Sequence, residues 1–384
     1  MTTLLIRDVF LGIAAIPFIY YAIAIFSSLR FFLTTRGEAD KTGDFLPALS
    51  NLKPVRGLDP EAYENFASFC RQDYPDYEIL FCVGDTSDPV FPVLERLVRD
   101  FPERKIRIVV GSGRIATNDK VAKLARLVEE ASHEHLVISD SDVRVEPDYL
   151  RKVIAPLANP ETGAVTCFYV PTEESTWVQR LQDVGMVSDF YPGILVAKQL
   201  DGVKFALGPT IATTRTRLHA FGGYASIENR PADDLWVGRL IAEQGYEVKL
   251  LPYTISTVAD FQSLGELFYK RLRWITVMRH MRPWGHLGLI FTLGLPWAIV
   301  AVALRPTPRI AASYLGGYLL VRAFLTVMIG SWGLKQRGVW KKLALIPLWD
   351  AMATLIWLAS FTRKSIRWRG RDYLMRNGEL VPLL

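Results

Sequence analysis

The 384-residue chain reads as an α/β protein: a largely parallel sheet covered by helices, joined to membrane segments at both ends. Three observations predict this. Short apolar runs alternate with helical patterns from residue 45 to about residue 260, the spacing of repeated β-α-β units. Long stretches almost free of charge lie before and after that region. The composition, 50% hydrophobic and 22% charged, fits a soluble domain fused to membrane helices better than either alone.

In chain order, Val9 to Leu29 carries no charged residue and is long enough to cross a bilayer. It is long for a signal-peptide core and no small-x-small cleavage site follows, so residues 1–34 read as a retained anchor. Arg30, Arg36, Lys41 and Lys53 follow it, against Arg7 before it, which places the domain at 35–260 in the cytosol. Tyr77–Val83 is a strand running into Gly84-Asp85-Thr86-Ser87-Asp88, and Asp88 to Asp100 is helical. Lys105–Val110 is the next strand, Asn118–Ser132 a helix, and His135 onward a strand ending at Asp140-Ser141-Asp142. Ala164–Val170 is a further strand, and Pro231 to Gly245 holds a helix with Asp233 and Asp234 in its first turn. Residues 261–284 form an amphipathic basic–aromatic interfacial segment. Residues 285–361 hold membrane segments: Pro283–Leu304 has no Asp, Glu, Lys or Arg, Ile310–Leu334 only Arg322, and Leu343–Phe361 only Asp350. Residues 362–384 read as a basic cytosolic tail. If all three segments crossed, that tail would lie outside, so the stretch around Gly294-Leu-Pro-Trp297 reads as re-entrant or interfacial. Arg322 and Asp350 at membrane depth call for each other as partners, or for a lipid headgroup.

The net charge of +6 is concentrated late in the chain without a basic–aromatic nucleic-acid stripe, so a membrane surface is the expected anionic partner. Three cysteines make neither a disulfide framework nor a zinc spacing. Chemistry concentrates on carboxylates. A D-x-D at the carboxyl edge of a buried strand suits a hard divalent cation shared with a diphosphate, because Mg²⁺ takes only one or two protein carboxylates. Asp85 and Asp88 are placed either to accept from a nucleotide or to serve as turn and N-cap residues. Asp234 is either a helix-dipole partner or a general base. Lys270-Arg271-Leu272-Arg273-Trp274 is either an interfacial helix or a cationic cap over a leaving diphosphate.

As an ordered set, Asp88, Asp140-x-Asp142, Asp234 and Arg273-Trp274 resemble the D, D, D, (Q/R)xxRW signature of inverting, membrane-bound glycosyltransferases with a GT-A fold. Lys53-Pro-Val-Arg-Gly-Leu-Asp-Pro60, Arg71-Gln-Asp-Tyr-Pro75, Asn118-x-Lys120, Asp140-Ser-Asp-Val-Arg-Val145 and Trp368-Arg-Gly-Arg371 look like glycosyltransferase family 21. That family holds the ceramide glucosyltransferases and closely similar bacterial hopanoid-pathway enzymes. The resemblance covers roughly residues 47 to 281 and, more loosely, the membrane segments.

It implies a UDP-sugar donor, with Asp88 and Asp85 at the uridine, Lys120 nearby, and Asp140 and Asp142 holding Mg²⁺ or Mn²⁺ on the diphosphate. Asp234 is the implied base, with Asp233 beside it, and Arg273 and Trp274 close over the pyrophosphate with Lys270. The implied reaction glucosylates a membrane lipid, ceramide first, with N-acetylglucosamine transfer to a hopanoid polyol as the alternative. The implied location is a bacterial inner membrane with the catalytic domain in the cytosol. The chain departs from the family pattern at Lys270, where Gln or Arg is usual, and at Lys123, where Asn is common. It also has Tyr191-Pro192 where animal ceramide enzymes have His-Pro.

Overall fold

The computed structural model describes residues 2–37, 44–114, 116–172, 174–259, 261–368, 371–376 and 378–383. Lys41, Arg369 and Gly370, which entered the readings above, lie outside them. The catalytic-domain candidate is built on an eight-stranded sheet. Its strands are β1 (Leu49–Pro54), β2 (Tyr77–Val83), β3 (Lys105–Val110), β4 (His135–Ile138), β5 (Val143–Arg144), β6 (Thr162–Pro171), β7 (Ile211–Thr214) and β8 (Glu247–Thr257), in the order β3-β2-β1-β4-β7-β6-β8-β5. Every residue of β1 and β2 is buried. On β2 the side chains alternate: Ile79, Phe81 and Val83 pack with Phe66, Leu94 and Tyr149, while Leu80 and Cys82 pack with Leu124, Leu136 and Ile138. Helices therefore cover both faces, which is why these strands read as continuous apolar runs rather than alternating ones.

The largely parallel sheet expected is found, with two antiparallel strands set into it. β3, β2, β1 and β4 are parallel, as are β6 and β8, but β7 runs antiparallel between β4 and β6, and β5 antiparallel beside β8. β7 and β5 span four and two residues, too short to carry a pattern, and an apolar run does not encode strand direction.

Among the described residues, three helical stretches are long and apolar enough to cross a membrane: Leu5–Thr35, Pro308–Gly333 and Val339–Thr362. Pro283–Phe291 and Gly294–Leu304 form a pair bent by 48°. The break falls at the stretch the charge argument marks, and its freed backbone groups are met. Tyr21 donates its hydroxyl proton to the Thr292 carbonyl (3.0 Å) and accepts from the Gly294 amide (2.9 Å), and Trp297 Nε1 donates to the Ile290 carbonyl (2.8 Å). A Cβ on Gly294 would lie 2.4 Å from the Tyr21 hydroxyl, so only glycine admits this plug. Arg322 and Asp350 are both buried and pair with each other; Arg322 Nε donates to Asp350 Oδ2 at 3.0 Å, and Tyr318 donates to the same oxygen at 2.7 Å.

The basic tail is not a loose extension. Strands β9 (Ser365–Trp368), β10 (Arg371–Arg376) and β11 (Glu379–Pro382) form an antiparallel sheet in the order β11-β10-β9. Ile366, Tyr373, Met375 and Leu380 are buried against Val277, Met281 and Ala232. The basic residues dominate the composition there, and they mask the two-residue alternation at Tyr373 and Met375.

Candidate active site

β4 stops at Ile138 and the chain leaves the sheet through Ser139-Asp140-Ser141-Asp142. The turn is fixed from below by Lys53 of β1, whose buried ammonium donates to Ser139 Oγ (3.1 Å) and to the Asp140 carbonyl (3.0 Å) and lies 3.5 Å from the centre of the Phe69 ring. Burial drives its pKa down to about 7, against the pull of Asp140 and Asp142. From the other side, the Val258 amide donates to the Asp142 carbonyl at 2.9 Å. Both carboxylates thereby reach a cavity of about 1420 Å³.

Asp234 enters the same cavity from the first turn of the helix Asp233–Glu243. Its Oδ2 accepts from the Gly208 amide and its Oδ1 from its neighbour Leu235, both at 2.9 Å. A Cβ on Gly208 would meet Asp234 Oδ2 at 3.1 Å and Asp140 Oδ2 at 3.4 Å, so the catalytic candidate and the first D-x-D carboxylate converge over this glycine. Burial, and then the charge of Asp233, raise the Asp234 pKa to about 6. Lys120 stands between the acidic groups, 2.7 Å from Asp140 Oδ1 and 3.1 Å from Asp233 Oδ2. Burial opposes its charge, but Asp140, Asp233 and Asp234 outweigh it and hold the lysine protonated. The family pattern puts Lys120 beside the uridine; here it sits at the centre of the carboxylates.

The cationic wall comes from the helix Leu264–Met281, started by a capping box in which Ser263 and Glu266 satisfy each other's amides. Lys270, Arg271, Arg273 and Trp274 all line the cavity. The Trp274 ring lies 5.9 Å from Phe190. Arg271 is buried, its guanidinium 4.6 Å from the Trp349 ring and 5.0 Å from Trp274, and that burial lowers its pKa. Sequence reasoning singled out Arg273; the aromatic seat around Arg271 needs Trp349, which is 78 residues away in the apolar stretch Val339–Thr362, and no local signal marks it.

Asp85 and Asp88 are not brought to this centre, and neither lines the cavity. Both oxygens of Asp88 accept from the Gly57 amide at 3.0 Å and Oδ1 also accepts from Val90, tying the loop after β1 to the helix Phe91–Asp100. Asp85 is exposed and accepts from the Ser87 amide at 2.8 Å, which with the Ser87 hydroxyl lowers its pKa. The turn-forming role of these two residues is the one the geometry displays. Sequence reasoning missed Lys53 as a buried prop; the signal was a lysine inside an otherwise buried central strand.

The residues fit a divalent cation of the Mg²⁺ or Mn²⁺ kind. Asp140 and Asp142 supply hard oxygen donors facing an open cavity. Among the described residues no group of three or more His, Cys, Asp or Glu is placed to enclose an ion. A cation here would take its remaining ligands from water and a diphosphate, the habit of Mg²⁺.

A D-x-D leaving the edge of a mixed α/β sheet, opposite a second carboxylate and a cationic helix, defines a GT-A glycosyltransferase fold. A family model described as Glycosyl transferase family 21 matches residues 9–381, and the chain belongs to that family. The chain is 24% identical to Ceramide glucosyltransferase 1 of Caenorhabditis elegans over 81% of its own length and 64% of the relative's. It is 30% identical to the ceramide glucosyltransferase of Komagataella phaffii over 37% of its own length and 28% of the relative's. Against Ceramide glucosyltransferase 3 of Caenorhabditis elegans the chain is 21% identical over 63% of its length and spans 53% of that relative. Among solved structures it resembles a mannosyltransferase of Pyrobaculum calidifontis, in complex with GDP-Man and Mn²⁺, with a TM-score of 0.54 and 20% identity. That match covers 88% of this chain and 99% of the other.

Proposed function

We propose that the protein is an inverting, metal-dependent membrane glycosyltransferase that moves a sugar, glucose first, from a UDP-sugar to the primary hydroxyl of a lipid, ceramide first. The observation that carries this reading is one cavity lined by Asp140, Asp142 and Asp234 and also by Leu293, at the break of the bent pair, and Ile356, in a membrane-helix candidate. The curated relatives named ceramide glucosyltransferases, and the Mn²⁺ in the similar mannosyltransferase, support it.

In this reading Asp140 and Asp142 hold the cation, which when bound offsets the diphosphate charge and eases departure of UDP. Arg273, with Lys270 or Arg271, adds positive charge where the leaving group develops negative charge. Asp234 takes the proton of the lipid hydroxyl as its oxygen bonds to the anomeric carbon. The bond from that carbon to the UDP oxygen breaks on the opposite face, and UDP leaves with the electron pair. One displacement inverts the centre, giving a β-glycoside from an α-linked donor. The protein is read as a membrane enzyme with its catalytic domain on the cytosolic side, the bent pair re-entrant, and Asp88 and Asp85 holding the loop at the uridine end of the site.

The test is turnover of purified protein with labelled UDP-glucose and UDP-N-acetylglucosamine, crossed against ceramide, diacylglycerol and a hopane polyol, with and without EDTA. EDTA-sensitive glucosylation of ceramide is expected. N-acetylglucosaminyl transfer to the polyol would replace donor and acceptor and keep the mechanism. Failure of every pair would overturn the reading.

A further inference from the structure

Where the cavity passes from polar to apolar, it holds a carboxylate that the transfer chemistry does not use. Asp189 sits in the π-helical turn Met186–Phe190, just before Tyr191-Pro192, and lines the cavity. Its Oδ2 accepts from Trp349 Nε1 at 3.3 Å. Among the described residues it has no other hydrogen-bond donor and no cation within ion-pair distance; Arg271, 4.6 Å from the Trp349 ring, feels its charge without bonding to it. The turn is held rigid from behind: the buried Arg322 donates to the Ser188 carbonyl, and the Tyr191 hydroxyl donates to the Tyr169 carbonyl. The same cavity is also lined by the apolar residues Ile194, Ala197, Leu289, Leu293, Ala353 and Ile356.

An ionised carboxylate only accepts hydrogen bonds, and one indole leaves most of its lone pairs open. A half-buried acceptor at the junction of a catalytic centre and an apolar arm matches a lipid head with a hydrogen-bond donor besides its reacting hydroxyl. We infer that Asp189 is the acceptor-reading residue: it receives a second hydroxyl or an amide N–H of the lipid head, and so selects amido-diols or polyols over simple alcohols. This rests on the reading of the cavity as a lipid glycosyltransferase site. Hydrogen bonds read by a carboxylate partly shielded from water discriminate between ligands, because one lacking the donor leaves that group without the partner.

The probes are ceramide, a hopane polyol and 1-hexadecanol, each tested in bilayer nanodiscs for sugar transfer and, with UDP present, for the rise they cause in the unfolding temperature. The wild-type protein is expected to favour ceramide or the polyol over hexadecanol by roughly tenfold or more in kcat/KM, and to be stabilised by the favoured lipid alone. Asp189→Asn should remove most of that ratio through KM and abolish the selective stabilisation. Trp349→Phe, which deletes the indole donor and keeps the carboxylate, should retain the selectivity. Equal treatment of all three lipids by the wild-type protein, in both readouts, would overturn the inference without any variant. So would an Asp189→Asn protein with unchanged selectivity, or the same loss of selectivity in Trp349→Phe, which would make Asp189 a mere prop for the indole. Selective, Asp189-dependent stabilisation without sugar transfer would uphold the lipid site and reject the transferase reading.

Discussion

At the scale of single residues, the site is a negotiation between burial and charge. Asp234 is half-buried beside the buried Asp233, and Lys120 keeps the three neighbouring carboxylates from repelling one another outright, which leaves the proposed base ready to accept a proton. Asp234→Asn should keep UDP-sugar affinity and lose turnover by about 10²–10⁴-fold, measured by single-turnover transfer and calorimetry. The proposed base must be ionised to work, so kcat/KM of the parent should fall as pH drops through about 6 and be level above it. The same raised pKa sets the stability sign. The folded state binds this proton more tightly than the unfolded chain, so its contribution is full below the ordinary value of 3.8 and is lost as pH rises through about 6. Lys53 works differently, as a prop. Lys53→Met keeps the stem and removes the donor to Ser139 and Asp140, and it should weaken Mn²⁺-dependent UDP binding at least tenfold while leaving the unfolding temperature level or higher. Binding unchanged in that variant would remove the prop. The sequence displayed the D-x-D and Asp234 because their spacing is local. It did not display Lys53 or Lys120 in these roles, because each is defined by a partner on another strand or helix.

At the scale of elements, the candidate membrane helices are tied together by polar contacts placed deep among apolar ones. Arg322 and Asp350 stand 28 residues apart on two helices, and Arg322 also reaches Ser188, so the pair fixes both helices to the turn that lines the cavity. Removing one partner strands the other. Arg322→Met should cost about 3–5 kcal/mol in detergent unfolding, and Arg322→Met with Asp350→Leu should recover most of it. A double variant as unstable as the single one would show that the loss lies in packing and not in the uncompensated charge. This pairing was legible in the sequence, since two lone opposite charges in otherwise apolar stretches demand each other. The bend falls where charge bookkeeping marked a segment that does not cross as a plain helix. Its plug, Tyr21, was not legible: it lies 271 residues before the Thr292 carbonyl it satisfies, inside an anchor whose every residue reads as lipid-facing.

At the scale of the whole molecule, the last strands return to the catalytic centre. Loop 228–232 leads into Asp233 and Asp234, and Ala232 adopts a left-handed φ of 54°, a conformation that costs a non-glycine residue about 1 kcal/mol or more and needs support. The support comes from two directions. Asn118 donates its side-chain amide to the Arg230 carbonyl at 2.9 Å, and the Leu380 amide of β11 donates to the Asn229 carbonyl at 2.7 Å while Ala232 packs on the tail sheet. Ile366 and Tyr373 of that sheet also line the cavity. The sheet therefore clamps the loop that leads into the proposed base, and its basic surface is a separate matter. Deleting residues 363–384, or introducing Leu380→Asp into its buried face, should lower kcat about tenfold or more, the loss expected when a base moves by an ångström or so. Affinity for UDP-sugar should stay within about twofold, since β4 and the D-x-D turn are held elsewhere by Lys53 and Val258. Arg376→Glu changes the exposed basic face and leaves the clamp intact. It should weaken association with anionic vesicles and leave turnover in detergent as it was. If instead the truncated protein turns over normally in detergent and fails only on anionic vesicles, the tail is an electrostatic membrane contact and the clamp is refuted.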